Sequence, residues 1–291
     1  MPSPIPSFVR SLDLPDEQAI AVLNVFSDYP TVDEFLIGKS EDSSMLTSAA
    51  CAVLKLILGE AKVNSKPANA TLTDDNWLVS IVLGLLPLDF WVLTLGYRSQ
   101  TCWKSPRCVV LAESKKDVSV AIKIIKFLKL KFATRSGGHS PNPGWSSIGE
   151  DGILIDLQKL NAISVSDDKK VASIGPGQKW GKVYEALDPH ELSVIGGRIP
   201  QVGVGGLILG GGFFHFSGKY GLAADNVKDF EVVLADGSVV NANTDSNSDL
   251  FWALKGGGPN FGKSLAVRVG LFCSLRIRHC YQIRHVHRSC T

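Results

Sequence analysis

No C-x-x-C pair, no block of like charge, no internal repeat and no basic, apolar leader occur in these 291 residues, and each absence removes a class of protein. Without C-x-x-C the six cysteines form neither a redox dithiol nor a zinc ribbon. With 30 Lys and Arg against 28 Asp and Glu, a formal charge of +2, there is no basic field to draw nucleic acid. Met1 to Glu17 carries four prolines and several acids in place of a signal peptide, so secretion is disfavoured. The sequon Asn69-Ala70-Thr71 shifts that balance little, and the compartment stays open.

What remains is a globular composition, 45% hydrophobic, sufficient for one large core or two modest ones. Residues 46–58 are apolar at helical spacing (Ala49, Ala52, Val53, Leu56), with Met45 just ahead of them, which predicts an amphipathic helix packed on the main domain. Cys51 and Cys108 are a candidate disulfide. Cys280, His285, His287 and Cys290 make a loose metal set whose spacing fits no standard zinc pattern. Leu78 to Tyr97 is nearly long enough to span a bilayer, but Pro87 and Asp89 at its centre argue against a membrane span.

From Pro106 onward the signals become regular. Val109–Leu111 reads as a strand, and Asp117 opens a helix with Val118, Ala121, Ile122, Ile125 and Leu128 on its apolar face. Phe132–Arg135, Gly152–Leu157 and Val171–Ile174 read as strands, and Gln178–Leu187 as a helix. Asp236-Gly237 joins strands Phe230–Leu234 and Ser238–Val240 in a hairpin, and Ser248 caps a helix over Asp249–Lys255. Helices mixed with hairpin-linked strands predict an α+β fold rather than a strictly parallel doubly wound sheet.

Glycine carries the chemistry. Arg135-Ser136-Gly137-Gly138-His139-Ser140 ends a strand with two residues that lack side chains and then presents an imidazole; such glycines let backbone N–H groups turn toward an anion. A denser run, Val202 to Gly212, holds six glycines interleaved with aliphatics. Two such loops predict one large, phosphate-bearing cofactor. It is not bound in the dinucleotide manner, because the G-x-G segments at Gly175 and Gly203 both lack the glycine required at the sixth position. Gly257 to Ser264 matches the phosphate-loop pattern G-x-x-x-x-G-K-[ST], but a helix precedes it and an extended apolar run, Leu265–Leu271, follows, the reverse of what that loop needs.

Taken in order, Pro106 to Val110, Arg135 to His139, Ser173 to Gly177, Val202 to Gly212, Tyr220 to Val227 and Leu254 to Gly262 resemble the FAD-binding (PCMH-type) domain of the vanillyl-alcohol oxidase and p-cresol methylhydroxylase superfamily, in particular fungal berberine-bridge-enzyme-like, oxygen-dependent FAD-linked oxidoreductases. The resemblance covers about residues 105–262. It implies two α+β subdomains and a flavoprotein that passes hydride from an alcohol, sugar or amine C–H bond of a small-molecule substrate to flavin, with oxygen as electron acceptor. It implies a covalent bond from His139 to the flavin 8α-methyl, with Ser136, Gly137, Gly138 and Ser140 around it. Gly203, Gly205, Gly206 and Gly210 would form the second binding loop, and Asp225, Asn226 and Val227 would lie near the flavin. Where doubly linked relatives carry a second anchoring cysteine this chain has Ile199, so His139 is expected to be the sole covalent link. Tyr184, Tyr220 and His215 are expected to pack rather than react, His190 to be a loop residue, and no catalytic base is assigned.

The expected organisation is an N-terminal helical region over 1–104 with an anomalous apolar insertion at about 78–100, the FAD-binding domain over 105–272, and a basic tail over 273–291. The family's substrate domain is expected to be missing. Val79-Ser80 and Gly262-Lys263-Ser264 can each be encoded by a string containing GTAAGT, the usual start of an intron. Residues 78 to about 100 and those after Gly262 are therefore expected to be retained-intron translation, and the phosphate-loop match an accident of it. On that expectation the chain is a truncated, non-catalytic flavin-binding fragment, the rival to a working oxidoreductase.

Overall fold

A computed structural model describes residues 3–38, 43–65, 102 and 104–273. The apolar stretch 78–97, the Asn69 sequon and the Cys280–Cys290 set lie outside them. The chain divides into two compact units, one of residues 1–159 with 235–238, the other of 160–234 with 239–291.

The first unit begins with four helices, α1 (Ile5–Ser11), α2 (Asp16–Ser27), α3 (Thr31–Leu36) and α4 (Ser43–Leu58). The amphipathic pattern of α4 buries Leu46, Ala49, Ala50, Val53 and Leu54, while Gln18 Nε2 donates to the carbonyls of Leu56 (3.2 Å) and Ile57 (3.4 Å) at its C-terminal end. Four strands follow: β1 (Val63–Ser65), β2 (Cys108–Leu111), β3 (Lys131–Arg135) and β4 (Gly152–Asp156). They lie in the order β1-β2-β4-β3, with β4 parallel to both β2 and β3 and β1 antiparallel to β2. Every residue of β4 is buried, as expected of an apolar strand between two parallel neighbours.

Helix α5 (Lys115–Phe127) connects β2 to β3. It starts two residues before the expected Asp117 because Ser114 is the N-cap: Ser114 Oγ accepts from Asp117 N (3.3 Å) and the Asp117 carboxylate accepts from Ser114 N (3.0 Å), a capping box. Its last residue, Phe127, stacks on Phe8 at 3.8 Å between ring centroids. Residues 235–238 also group with this unit, where Ser119 Oγ donates to the Gly237 carbonyl.

The candidate pair Cys51 and Cys108 is a disulfide, with Cα atoms 6.1 Å apart, joining α4 to the first residue of β2 across 57 residues. Closing a loop of that length is worth about 4 kcal/mol in chain entropy. Cys51→Ala/Cys108→Ala is expected to lower unfolding free energy by about that amount in urea titration; equal midpoints with and without the bond would overturn this.

The second unit is built on a sheet ordered β5-β6-β10-β8-β9, antiparallel throughout: β5 (Ile163–Val165), β6 (Val171–Ile174), β8 (Val227–Val233), β9 (Val239–Asn243) and β10 (Lys263–Gly270). A two-stranded sheet pairs β7 (Leu192–Ser193) with β11 (Phe272–Cys273). Helix α6 (Trp180–Leu187) buries Trp180, Val183 and Leu187, and these share the core with Ile174, Phe230, Val232 and Val267. Two short helices, α7 (Val204–Leu209) and α8 (Ser217–Tyr220), and α9 (Ser248–Leu254) complete the unit.

Three local expectations differ from what forms. Gln178 and Lys179 are not helical, because Lys179 bridges Gly203 and the Gln178 carbonyl accepts from Val204 N (2.9 Å). Ser248 is the first residue of α9 rather than its cap; Asn247 takes the cap position at φ +50° and donates its side-chain amide to the Asn241 carbonyl (2.8 Å). The hairpin at Asp236-Gly237 forms, with Gly237 at φ +82°, but its second strand is Val239–Asn243. Among the described residues no helix is long and apolar enough to cross a membrane.

Candidate FAD-binding site

The first glycine loop springs from a buried charge pair. Arg135 and Asp156 are the last residues of β3 and β4, in register, and both are fully buried. Arg135 Nε donates to Asp156 Oδ2 (2.9 Å), and Nη2 donates to the same oxygen. Gln158 completes the carboxylate, its backbone N donating to Oδ1 (2.9 Å) and its Nε2 to Oδ2 (3.1 Å), while Leu157 N donates to the Arg135 carbonyl (2.8 Å). Strand ends fixed in this way give the loop a rigid root.

Beyond Arg135 the chain turns out of the sheet. Ser136, Gly137, His139 and Ser140 are half-buried; Gly138 is buried at φ +63°, a conformation that favours glycine. Ser140 is fixed from both sides: its Oγ accepts from Asn142 N (3.2 Å) and its carbonyl from the buried Cys102 Sγ (3.3 Å). The imidazole of His139 is thus carried on a short loop anchored at Arg135 before it and at Ser140 after it.

The second glycine run lies in the second unit. Trp180 N donates to the Val202 carbonyl (3.0 Å) and Gly205 N to that of Pro176 (3.3 Å), so the Gly175–Gly177 turn and the start of the glycine run form one assembly. In α7, Gly205 is buried beside Val204 and Ile208, whereas Gly206 and the following Gly210 face outward. A Cβ built on Gly206 meets nothing within 4 Å. Past α7, Ala223 N donates to the Gly212 carbonyl (2.8 Å) and Ala224 N to that of Gly211 (2.9 Å), which brings the run against Asp225, Asn226 and Val227. Here Asp225 Oδ2 accepts from Leu222 N (2.8 Å), and Asn226 Nδ2 donates to the carbonyls of Tyr220 (2.9 Å) and Leu222 (2.8 Å). Their side chains hold the turn leading into β8, and Val227 is buried as that strand's first residue.

Tyr184 packs against Trp180 and donates its hydroxyl to the Gly197 carbonyl (2.8 Å); Tyr220 stacks on Phe272 (5.1 Å); His215 lies edge-on to Phe214 (5.4 Å). His190 ends a short 3₁₀ turn, Asp188–His190. Ile199 is exposed and its side chain offers no nucleophile. Among the described residues no group of three or more His, Cys, Asp or Glu is placed to hold a metal ion. The phosphate-loop letters enter a strand: Lys263 and Ser264 begin β10, so no helix opens after them. Asp156 and Gln158 went unnoticed in the sequence; the available signal was a carboxylate closing an otherwise apolar strand.

Residues 106–243 match the family described as FAD binding domain. Over 179 residues the chain is 54% identical to an FAD-dependent monooxygenase of Arthrobotrys oligospora, covering 62% of this chain and 35% of the relative. Over 166 residues it is 48% identical to an FAD-dependent monooxygenase of Penicillium terrestre, covering 56% and 32%. Among solved structures, 6-hydroxy-D-nicotine oxidase from Arthrobacter nicotinovorans superposes with a TM-score of 0.61 at 32% identity, over 64% of this chain and 40% of that one. A berberine bridge enzyme structure gives 0.62 at 30% identity, over 77% and 43%.

The chain spans about a third of the length of the curated relatives it matches. The fold and these likenesses define a flavoprotein module, an FAD-binding domain of the PCMH type. Through this domain the chain is similar to the FAD-dependent monooxygenases and to the berberine-bridge-enzyme-like FAD-linked oxidoreductases of the vanillyl-alcohol oxidase superfamily.

Proposed function

We propose that the chain binds FAD through its two glycine loops, Ser136, Gly137, Gly138, His139 and Ser140 in the first and Gly203, Gly205, Gly206 and Gly210 in the second, with Asp225, Asn226 and Val227 adjoining the second. Gly206 is the observation that carries this reading. It sits in a helix, where glycine is disfavoured by up to about 1 kcal/mol relative to alanine, and among the described residues nothing lies within 4 Å of where its Cβ would stand. Close approach of a ligand accounts for a bare backbone at an exposed helical position. His139 is the attachment point for the flavin 8α carbon, and Ile199 leaves the cofactor without a second covalent link.

Bound FAD supplies a two-electron acceptor. The chain's own residues position it: the Arg135–Asp156 pair and the Ser140 hydrogen bonds hold His139 at a fixed place, and α7 offers backbone without side-chain obstruction. In the whole protein this domain serves an oxidoreductase acting on a C–H bond of a small-molecule alcohol, sugar or amine, with oxygen accepting the electrons. Support comes from the relatives named FAD-dependent monooxygenases and from carbohydrate oxidases among the structural neighbours.

Gly206→Leu is the direct test. Gly206 is exposed and a Cβ there has room among the described residues, so melting temperature is expected to hold or rise, while FAD retained through gel filtration falls at least about tenfold as the larger side chain enters the cofactor's space. Unchanged retention would remove Gly206 from the site. Adding alcohols, sugars and amines to the flavin-loaded chain and following hydrogen peroxide tests the oxidase reading; bound flavin with no turnover identifies a binding module without a working substrate site.

A further inference from the structure

We infer that residues 263–266 are a releasable half of β10, the central strand of the second unit's sheet. The two halves of this strand are held differently. Val267 to Gly270 pairs on both sides, with Ile174 to Val171 of β6 and with Phe230, Asp229 and Val227 of β8. Lys263 to Ala266 pairs with β8 alone among the described residues, and its register shifts between Ser264 and Ala266.

One side chain of the first half opposes its position: Ser264 is 3% exposed, and among the described residues its Oγ finds no hydrogen-bond partner. A buried hydroxyl in that state loses the water it had in the unfolded chain and gains nothing in return. The hydroxyl recovers solvation when the half-strand lifts away. Leu265, 5% exposed, is the one fully buried apolar side chain that holds it down. The second half carries Val267 and Val269, both buried, and Arg268, whose Nη1 donates to Asp229 Oδ2 (2.9 Å) across the ladder.

Local opening of residues 263–266 therefore needs neither β6 nor the Arg268–Asp229 pair to move. It uncovers the backbone of Val232 and Val233 along one side of β8, which a central strand would otherwise keep paired.

Hydrogen exchange on the full chain, read on fragments that separate 263–266 from 267–270, tests the idea. The first half is expected to exchange about tenfold to a hundredfold faster than the second, the range that one orphaned buried hydroxyl produces. Ser264→Val is expected to close most of that gap, while Ser264→Thr leaves it. Equal protection in the unsubstituted chain overturns the inference, and so does a gap that survives Ser264→Val, since the hydroxyl would then not be its cause.

Discussion

His139→Ala protein, loaded with FAD and precipitated in acid, is expected to give a colourless pellet, whereas the unsubstituted chain gives a yellow, fluorescent one. The loss should be complete. Covalent attachment needs a nucleophilic side chain delivered by a loop already placed against the cofactor, and His139 is the only imidazole between Arg135 and Asp156. Ile199, in the position where doubly linked relatives carry cysteine, offers none. Because His139 is half-buried and the Arg135–Asp156 root does not include it, stability is expected to change by about 1 kcal/mol or less. The native variant should also remain yellow after gel filtration, since the glycine loops still hold FAD without the bond. That contrast separates two failures. A yellow pellet from the variant places the bond elsewhere, whereas a colourless pellet from both proteins, each yellow when native, removes the bond and keeps the site.

Segments with a single local cause were legible in the sequence. Helix α5 has one apolar face, β4 is a short continuous apolar run, and Asp236-Gly237 fixes a hairpin, so periodicity and turn chemistry located all three. The two glycine loops were legible for the same reason, as clusters with no ordinary role in a strand or helix. What escaped were the partnerships made at long range. Gln178 and Lys179 fit a helix until Gly203 and Val204, about 25 residues later, claim their backbone groups. Asp156 stands 21 residues from Arg135, and only the parallel register of β3 with β4 brings them together. At Asn247 a left-handed backbone displaced the expected serine cap, a choice set by the bond to Asn241 rather than by cap preference.

That unforeseen pair gives the largest expected effect on stability. Asp156→Ala leaves the Arg135 guanidinium fully buried with its carboxylate removed, and deprives the Gln158 backbone and side-chain amides of their acceptor. Breaking a buried pair from one side typically destabilises by about 3–5 kcal/mol, a large share of the roughly 5–15 kcal/mol that holds a domain together. Urea titration should therefore show a much lower midpoint for Asp156→Ala, and the variant is expected to accumulate in inclusion bodies. Arg135→Met/Asp156→Leu should behave differently, because apolar side chains of similar size need no compensating charge at that depth, and most of the lost stability is expected to return. The double variant should still incorporate flavin slowly at His139, since the loop's root is then packed but no longer held by hydrogen bonds to a fixed carboxylate. If the single variant loses less than about 1 kcal/mol, the pair is not buried as described. If the double variant is as unstable as the single one, the hydrogen bonds to Gln158, rather than the unpaired charge, are what the fold depends on.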